Sequence, residues 1–282
     1  MADIEYMKKL AEKFAKGEIP FLEDKDQFEF ACDQCGKCCR NRSDILLSPL
    51  DVYHLTRAKG MTGQEILAKY GDRYIGEHSK LPVVRLKYRQ ELDGQTTCYF
   101  LGRKDGKCFC RVHEYKPTVC RTYPLGKMQS AKKDATPEEP VYPKYFLQEE
   151  DPHSDCIGIK RAHREHVKQT VVDWVGGPRA KAVADRYSVI FNEFTQKYHQ
   201  VFDYKKFERN ADPVSFKVFF GTLEVAMYAD YAGCPNDCDF LQKLQYNLDM
   251  CIELAKQTNR NPRYVLDVME RGLIRLSGQD AV

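Results

Sequence analysis

Apolar residues recur at helical spacing at both ends of the chain, and the middle keeps a different rhythm. Ile4, Met7, Leu10, Ala11 and Phe14 fall three and four apart, which predicts an amphipathic helix over residues 2–16 ending near Gly17 and Pro20. Its expected role is to pack on the domain that follows. Ser48-Pro49-Leu50-Asp51 combines a capping serine with proline at the first helical position and predicts a helix to about Ala58. Thr62-Gly63-Gln64-Glu65 has capping-box spacing and starts another. Both are expected to brace the cysteine-rich loop that precedes them.

Residues 82–100 change period. Val83, Val84, Leu86 and Tyr88, then Thr96, Thr97, Tyr99 and Phe100, flank Asp93-Gly94, a dipeptide favoured in tight hairpin turns. Gly102 to Lys107 reads as a second turn, and Pro117 fixes the chain's approach to Cys120. Residues 129–144 read as a polar loop ahead of a short apolar Tyr145-Phe146-Leu147. Ser154 and Asp155 are candidate caps for a helix to about Val175, with Ile159, Ala162, Val167, Val171 and Trp174 tending to one side. Gly176-Gly177-Pro178 is the clearest break. Beyond it, Val183, Tyr187, Ile190, Phe191, Phe194, Tyr198 and Val201 mark a long helix, and Leu241, Leu244, Leu248, Cys251 and Leu254 mark another. Asn261-Pro262 opens a last helix expected to end near Gly278, and residues 214–220 fit a strand or a helix from Pro213 equally well. The expected fold class is α+β: a small cysteine-rich domain of short hairpins and helices, followed by a mainly helical C-terminal region. The corresponding division is a helical arm over 1–30, a cysteine-cluster domain over 31–176 and a helical domain over 177–282.

Composition narrows the chemistry. The chain has 282 residues, 43% of them hydrophobic, so a disordered protein is excluded. No apolar run approaches the ~20 residues that span a bilayer, and residues 1–17 have no apolar signal core, so the expected location is the cytoplasm. With 44 basic and 41 acidic residues there is no global nucleic-acid footprint. Tyr123, Tyr142 and Tyr145 with Lys127, Lys132, Lys133 and Lys144 are diluted by Asp134, Glu138 and Glu139, so they read as a solvated loop.

Cysteine changes the picture most. Cys32, Cys35, Cys38 and Cys39 place four thiols in eight residues, and nine of the twelve cysteines lie between 32 and 156. In a reducing compartment such crowding points to metal or redox chemistry rather than disulfides. Two-residue gaps let a turning backbone aim several sulfurs at one centre, and Gly36 can take the positive φ such a turn requires. Consecutive side chains usually diverge, so the Cys38–Cys39 pair suggests two centres or one multinuclear centre. Cys234 and Cys238 read as structural, and Cys251 as core. No histidine stands out as a ligand.

In order and spacing, Cys32 to Arg40, Cys98-Tyr99-Phe100-Leu101, Cys110 through Lys116-Pro117 to Cys120-Arg121-Thr122-Tyr123-Pro124, and Cys156-Ile157-Gly158-Ile159 resemble the YkgJ-like cysteine-cluster proteins. That family is named for a CxxCxxCC motif and described as zinc- or iron-chelating, and the likeness covers roughly residues 30–175. It implies Cys32, Cys35, Cys38, Cys39, Cys98, Cys110, Cys120 and Cys156 as metal ligands. Two departures stand out: Lys116 replaces the usual arginine, and Cys108 is an extra thiol competing with Cys110. Arg40 and Arg121 follow motif cysteines and are candidates to neutralise a thiolate centre.

Soft thiolate donors suit zinc and iron-sulfur alike. The three-residue rhythm and the thiol count favour one or two iron-sulfur clusters, 4Fe-4S above others, in an electron-transfer or redox role with a protein redox partner. The knuckle-like Cys35-Gly36 favours a zinc-binding structural or interaction module. A branch sharing the cysteine pattern, the flagellin lysine methylases, adds an iron-sulfur methyltransferase-like enzyme as a third class, although no methyl-donor glycine loop is evident.

Overall fold

The computed structural model describes residues 4–129, 142–148, 156, 158, 161 and 165–271. The fold is α+β, with short hairpins and helices in the cysteine-rich part and helices through the C-terminal stretch. Two compact units form, each from two stretches of chain: Met1–Leu47 with Arg85–Asp185, and Ser48–Val84 with Arg186–Val282.

The first unit is held by antiparallel pairs of short strands. Tyr88–Gln90 pairs with Thr96–Cys98, Leu101–Lys104 with Lys107–Cys110, Leu125–Met128 with Lys144–Leu147, and Gln27–Glu29 with Lys168–Thr170. The first pair is the hairpin expected around Asp93-Gly94, with Gly94 at φ +80°. The second turns at Asp105-Gly106, both with positive φ (50° and 74°), which matches the right-handed twist of its strands. Phe28, Phe30, Leu125, Tyr145, Val171 and Val175 form the core, with Tyr123, Cys156 and Trp174 packed against it. Phe30 meets Trp174 edge-on at 5.1 Å. The N-terminal helix Ile4–Ala15 closes on this unit as expected, Phe14 stacking on Phe21 at 5.0 Å and meeting Phe146 edge-on at 4.8 Å.

A buried ionic group ties the strands to the helix Pro178–Val201. Asp185 accepts from the Tyr145 hydroxyl at 2.9 Å and from Lys181 at 2.6 Å, and Lys127 lies 3.4 Å away. Lys181 also reaches Asp24 at 2.8 Å.

In the second unit, both capping boxes are in place. Ser48 and Asp51 cap the helix Pro49–Lys59, and Thr62 and Glu65 cap Gly63–Tyr70. These helices were expected to brace the cysteine loop, but their apolar faces are taken by C-terminal residues. Tyr53 stacks on Phe240 at 4.5 Å, and its hydroxyl bonds the Cys234 carbonyl at 3.2 Å. A Cβ on Gly63 would lie 2.7 Å from the Ala229 Cα. Residues 48–84, placed within 31–176 by the linear division, thus group with the C-terminal helices.

Residues 214–220 are helical: Asp212 accepts from the amides of Val214 and Ser215 and starts Pro213–Glu224. Asp237–Arg260 is the second long helix, with Cys251 fully buried. The last described helix is Tyr264–Glu270, and its expected end near Gly278 lies outside the described residues, as do positions 130–141 of the polar loop.

The helix expected from Ser154 to Val175 is interrupted. Ser154 and Asp155 lie outside the described residues, and Gly158, Arg161 and Glu165 are helical, but His166 takes φ +52°. The chain then extends because Lys168–Thr170 pairs with Gln27–Glu29, and Thr170 caps a new short helix, Val171–Trp174.

Candidate metal centre

The loop from Cys32 to Arg40 turns at Gly36, whose φ of +72° strains a residue with a side chain. Space requires glycine as well, since a Cβ there would lie 2.7 Å from the Cys108 Sγ. The following turn, Lys37–Cys39, is a single tight 3-10 turn closed by the Cys39 amide on the Gly36 carbonyl at 3.1 Å. The adjacent sulfurs were expected to diverge, yet Cys38 Sγ and Cys39 Sγ lie 3.9 Å apart. The tight turn supplies the reason, because it does not alternate side chains as an extended strand does. Two sulfurs bound at about 2.3 Å to one tetrahedral metal stand about 3.8 Å apart, so this pair can share an ion.

Each remaining thiol is delivered by its own element. The hairpin opposite Tyr88 carries Cys98, whose sulfur accepts from the Phe100 amide at 3.4 Å. The next hairpin carries Cys108 and Cys110, two apart and so on one face of the strand. The short helix Thr118–Thr122 carries Cys120. Cys156 lies two residues before Gly158, whose amide donates to its sulfur at 3.4 Å. Gly158 also brings this segment to the loop. Its carbonyl accepts from the Ala31 amide at 3.2 Å, and a Cβ there would lie 2.6 Å from the Phe30 ring. Arg161 reaches back to Asp33 at 2.8 Å.

The thiols feel one another's charge. Cys39 responds to Cys38, Cys98 and Cys120; Cys98 to Cys110 and Cys38; Cys110 to Cys38; and Cys156 to Cys35 and Cys38. Cys32 is exposed at the loop's start.

The hydrogen bond from Cys39 lowers Cys38 to about 7, against the opposing effect of burial and with help from Arg42 and Lys116. Cys39 is raised by that same bond and by burial. Burial pushes Cys98 up to about 11, opposed by the Phe100 amide. Burial also raises Cys110, with Lys116 and Arg121 opposing. Burial outweighs the Gly158 amide and the Tyr123 hydroxyl and raises Cys156.

Arg40 directs its guanidinium at the Cys108 Sγ, 3.7 Å away. Arg121 donates to the Glu114 carbonyl while still acting on Cys110. Arg42, held by Asp44 at 2.6 Å, and Lys116 both act on Cys38. Arg42 and Tyr88, whose half-buried phenol is raised by burial and by the charges of Cys98, Cys120 and Cys39, were missed in the sequence. Strand register was the available signal for Tyr88, because it pairs directly with Cys98. Cys234 is buried and Cys251 sits in the core, raised to about 12 by burial.

Among the described residues, no three His, Cys, Asp or Glu side chains are grouped closely enough to hold a metal ion. No helix among them is long and apolar enough to cross a membrane. The donor chemistry fits a thiophilic metal, with Cys38 lowered by the bond from Cys39, cations nearby and one sulfur pair at single-ion spacing.

No curated protein and no solved structure matches the chain. Residues 31–139 match the family described as "CxxCxxCC: Putative zinc- or iron-chelating domain". That segment holds the loop and both cysteine hairpins, and over it the chain is similar to the CxxCxxCC family.

Proposed function

We propose that this is a cysteine-ligated metal protein carrying one or two iron-sulfur clusters, with an electron-transfer or redox role and a protein redox partner. The observation that supports the reading is the number of separate elements that carry thiols, namely the loop at Cys35–Cys39, the strands with Cys98 and Cys110, the short helix with Cys120 and the segment at Cys156, more donors than a single four-coordinate ion uses. Cys35, Cys38, Cys39, Cys98, Cys110, Cys120 and Cys156 would hold the metal, with Cys32 as an eighth donor at the rim. Arg42, Lys116 and Arg121 would offset the excess thiolate charge, one of the levers that sets a cluster's potential. Such a centre supplies one-electron chemistry when bound.

A second reading, a zinc-binding structural or interaction module, is favoured by the Cys38–Cys39 spacing of 3.9 Å, since both sulfurs then fit one ion. Elemental analysis for iron, zinc and acid-labile sulfide after anaerobic purification, with a redox titration of the visible spectrum, separates the two. Iron with matching sulfide and absorption that bleaches on reduction supports the cluster. Stoichiometric zinc and a colourless, redox-silent protein refutes it in favour of the module.

A further inference from the structure

Cys108 is the thiol that the family pattern leaves without a role, and it touches the metal loop at three points. Its backbone amide donates to the Gln34 carbonyl at 2.8 Å. Its sulfur lies where a Cβ on Gly36 would come within 2.7 Å. The same sulfur accepts from the Arg40 guanidinium at 3.7 Å. One residue thus grips the loop before, at and after its tight turn. Cys108 is 8% exposed, so solvent competes little for its sulfur.

The family resemblance gives its neighbour Cys110 as the ligand, whereas the Cys108 sulfur is engaged by Arg40 and its amide by Gln34. Arg40 is anchored at its own backbone too, bridging to Thr97 while its amide closes the turn on the Lys37 carbonyl at 3.1 Å. The loop turn is therefore tied to both hairpins, by backbone at Thr97 and by the cation-to-sulfur contact at Cys108.

We propose that Cys108 and Arg40 form a clamp that binds no metal itself, holds the Gly36–Cys39 turn on the hairpin, and so sets how fast the centre releases its metal. Both are positioning residues. The clamp rests on the reading of the loop as a thiolate centre. Partners that fix the ligands of a metal site typically change affinity by about 10–100-fold when removed, and here the change falls on release, because the loop opens more often.

The test loads the full chain with Co²⁺ as an optical probe and compares wild type with Cys108→Ala, Cys108→Ser and Arg40→Gln. Cobalt stoichiometry and the thiolate charge-transfer intensity per cobalt are expected to stay unchanged. Chelator-driven release should be about 10–100-fold faster in Cys108→Ala and Arg40→Gln. The double variant should be no faster than either single one, and Cys108→Ser, which retains an acceptor for Arg40, should fall between. Loss of charge-transfer intensity in Cys108→Ala overturns the clamp by making Cys108 a ligand, and unchanged release in both variants overturns it by making the contact incidental. If wild type binds no cobalt, the metal reading fails, and amide exchange in the metal-free chain decides the clamp. Faster exchange at Cys39 and Arg40 in both variants supports it, and unchanged exchange refutes it.

Discussion

Gly36→Ala is the substitution whose cost the structure defines most closely. Two penalties combine. An alanine at φ +72° costs about 1–2 kcal/mol relative to a right-handed conformation. Its Cβ would also stand 2.7 Å from the Cys108 Sγ and 2.9 Å from the Cys108 Cβ, an overpacking that costs about 1–3 kcal/mol. The expected destabilisation is about 2–5 kcal/mol. Gly106→Ala is the matched control: it lies in the same unit at φ +74°, with nothing within 4 Å of its added Cβ. It should show only the first penalty, about 1–2 kcal/mol. Both substitutions restrict the unfolded chain alike, so that contribution cancels in the comparison. The assay is urea unfolding of the metal-free, reduced chain, with stability taken from midpoints at unchanged slope. Repeating Gly36→Ala in a Cys108→Ala background should bring its cost down toward that of Gly106→Ala. Equal costs for Gly36→Ala and Gly106→Ala, or no relief in the Cys108→Ala background, would refute the packing of Cys108 beneath the loop.

Asp185→Ala should destabilise by about 3–5 kcal/mol in thermal or urea unfolding, because it strands Lys181, Lys127 and the Tyr145 hydroxyl around a buried position. Arg263→Ala should cost under about 1 kcal/mol in the same assay, since its pairs with Asp212 and Asp267 are solvent-exposed. Alkali should unfold the protein from about pH 10 upward. Burial raises Tyr145, Tyr187, Tyr198 and Tyr228, so the folded state keeps phenolic protons that the unfolded state loses near pH 10. The stabilisation is intact below pH 10 and falls by up to about 1.4 kcal/mol per pH unit for each such tyrosine; a flat pH profile from 9 to 12 would contradict it. Cys35→Ser and Cys120→Ser should each lower bound metal, measured by elemental analysis, while Cys251→Ser, fully buried in the helical core, should leave it unchanged. Equal metal in all three would remove the ligand assignment.

What was legible in the sequence was mostly local chemistry. Ser48, Thr62 and Asp93-Gly94 announce their caps and turn because the stabilising bonds run between residues two to four apart. The cysteine loop is visible for the same reason, its thiols lying within eight residues. Non-local pairing was hidden. Nothing near Lys168–Thr170 announces that its partner is Gln27–Glu29, so the apolar rhythm through Val167 and Val171 suggested one continuous helix. The helices at 49–70 were read against the loop beside them, whereas Tyr53 finds its stacking partner at Phe240. At the centre itself, adjacency in sequence brought Arg40 to notice, but not its sulfur contact, which comes from Cys108 almost seventy residues on. Arg42, two residues further, acts on Cys38. Cys38 and Cys39 were expected to diverge in extended and turning backbone alike, whereas the tight 3-10 turn behind Gly36 sets their sulfurs 3.9 Å apart.

X-ray absorption at the metal edge of the anaerobically purified full chain tests most directly whether these cysteines hold a metal. A first shell of sulfur alone at about 2.3 Å, lost in Cys120→Ser in step with metal content, is the predicted result. A shell of nitrogen and oxygen, or a chain that carries no stoichiometric iron or zinc, would contradict the assignment of a thiolate centre.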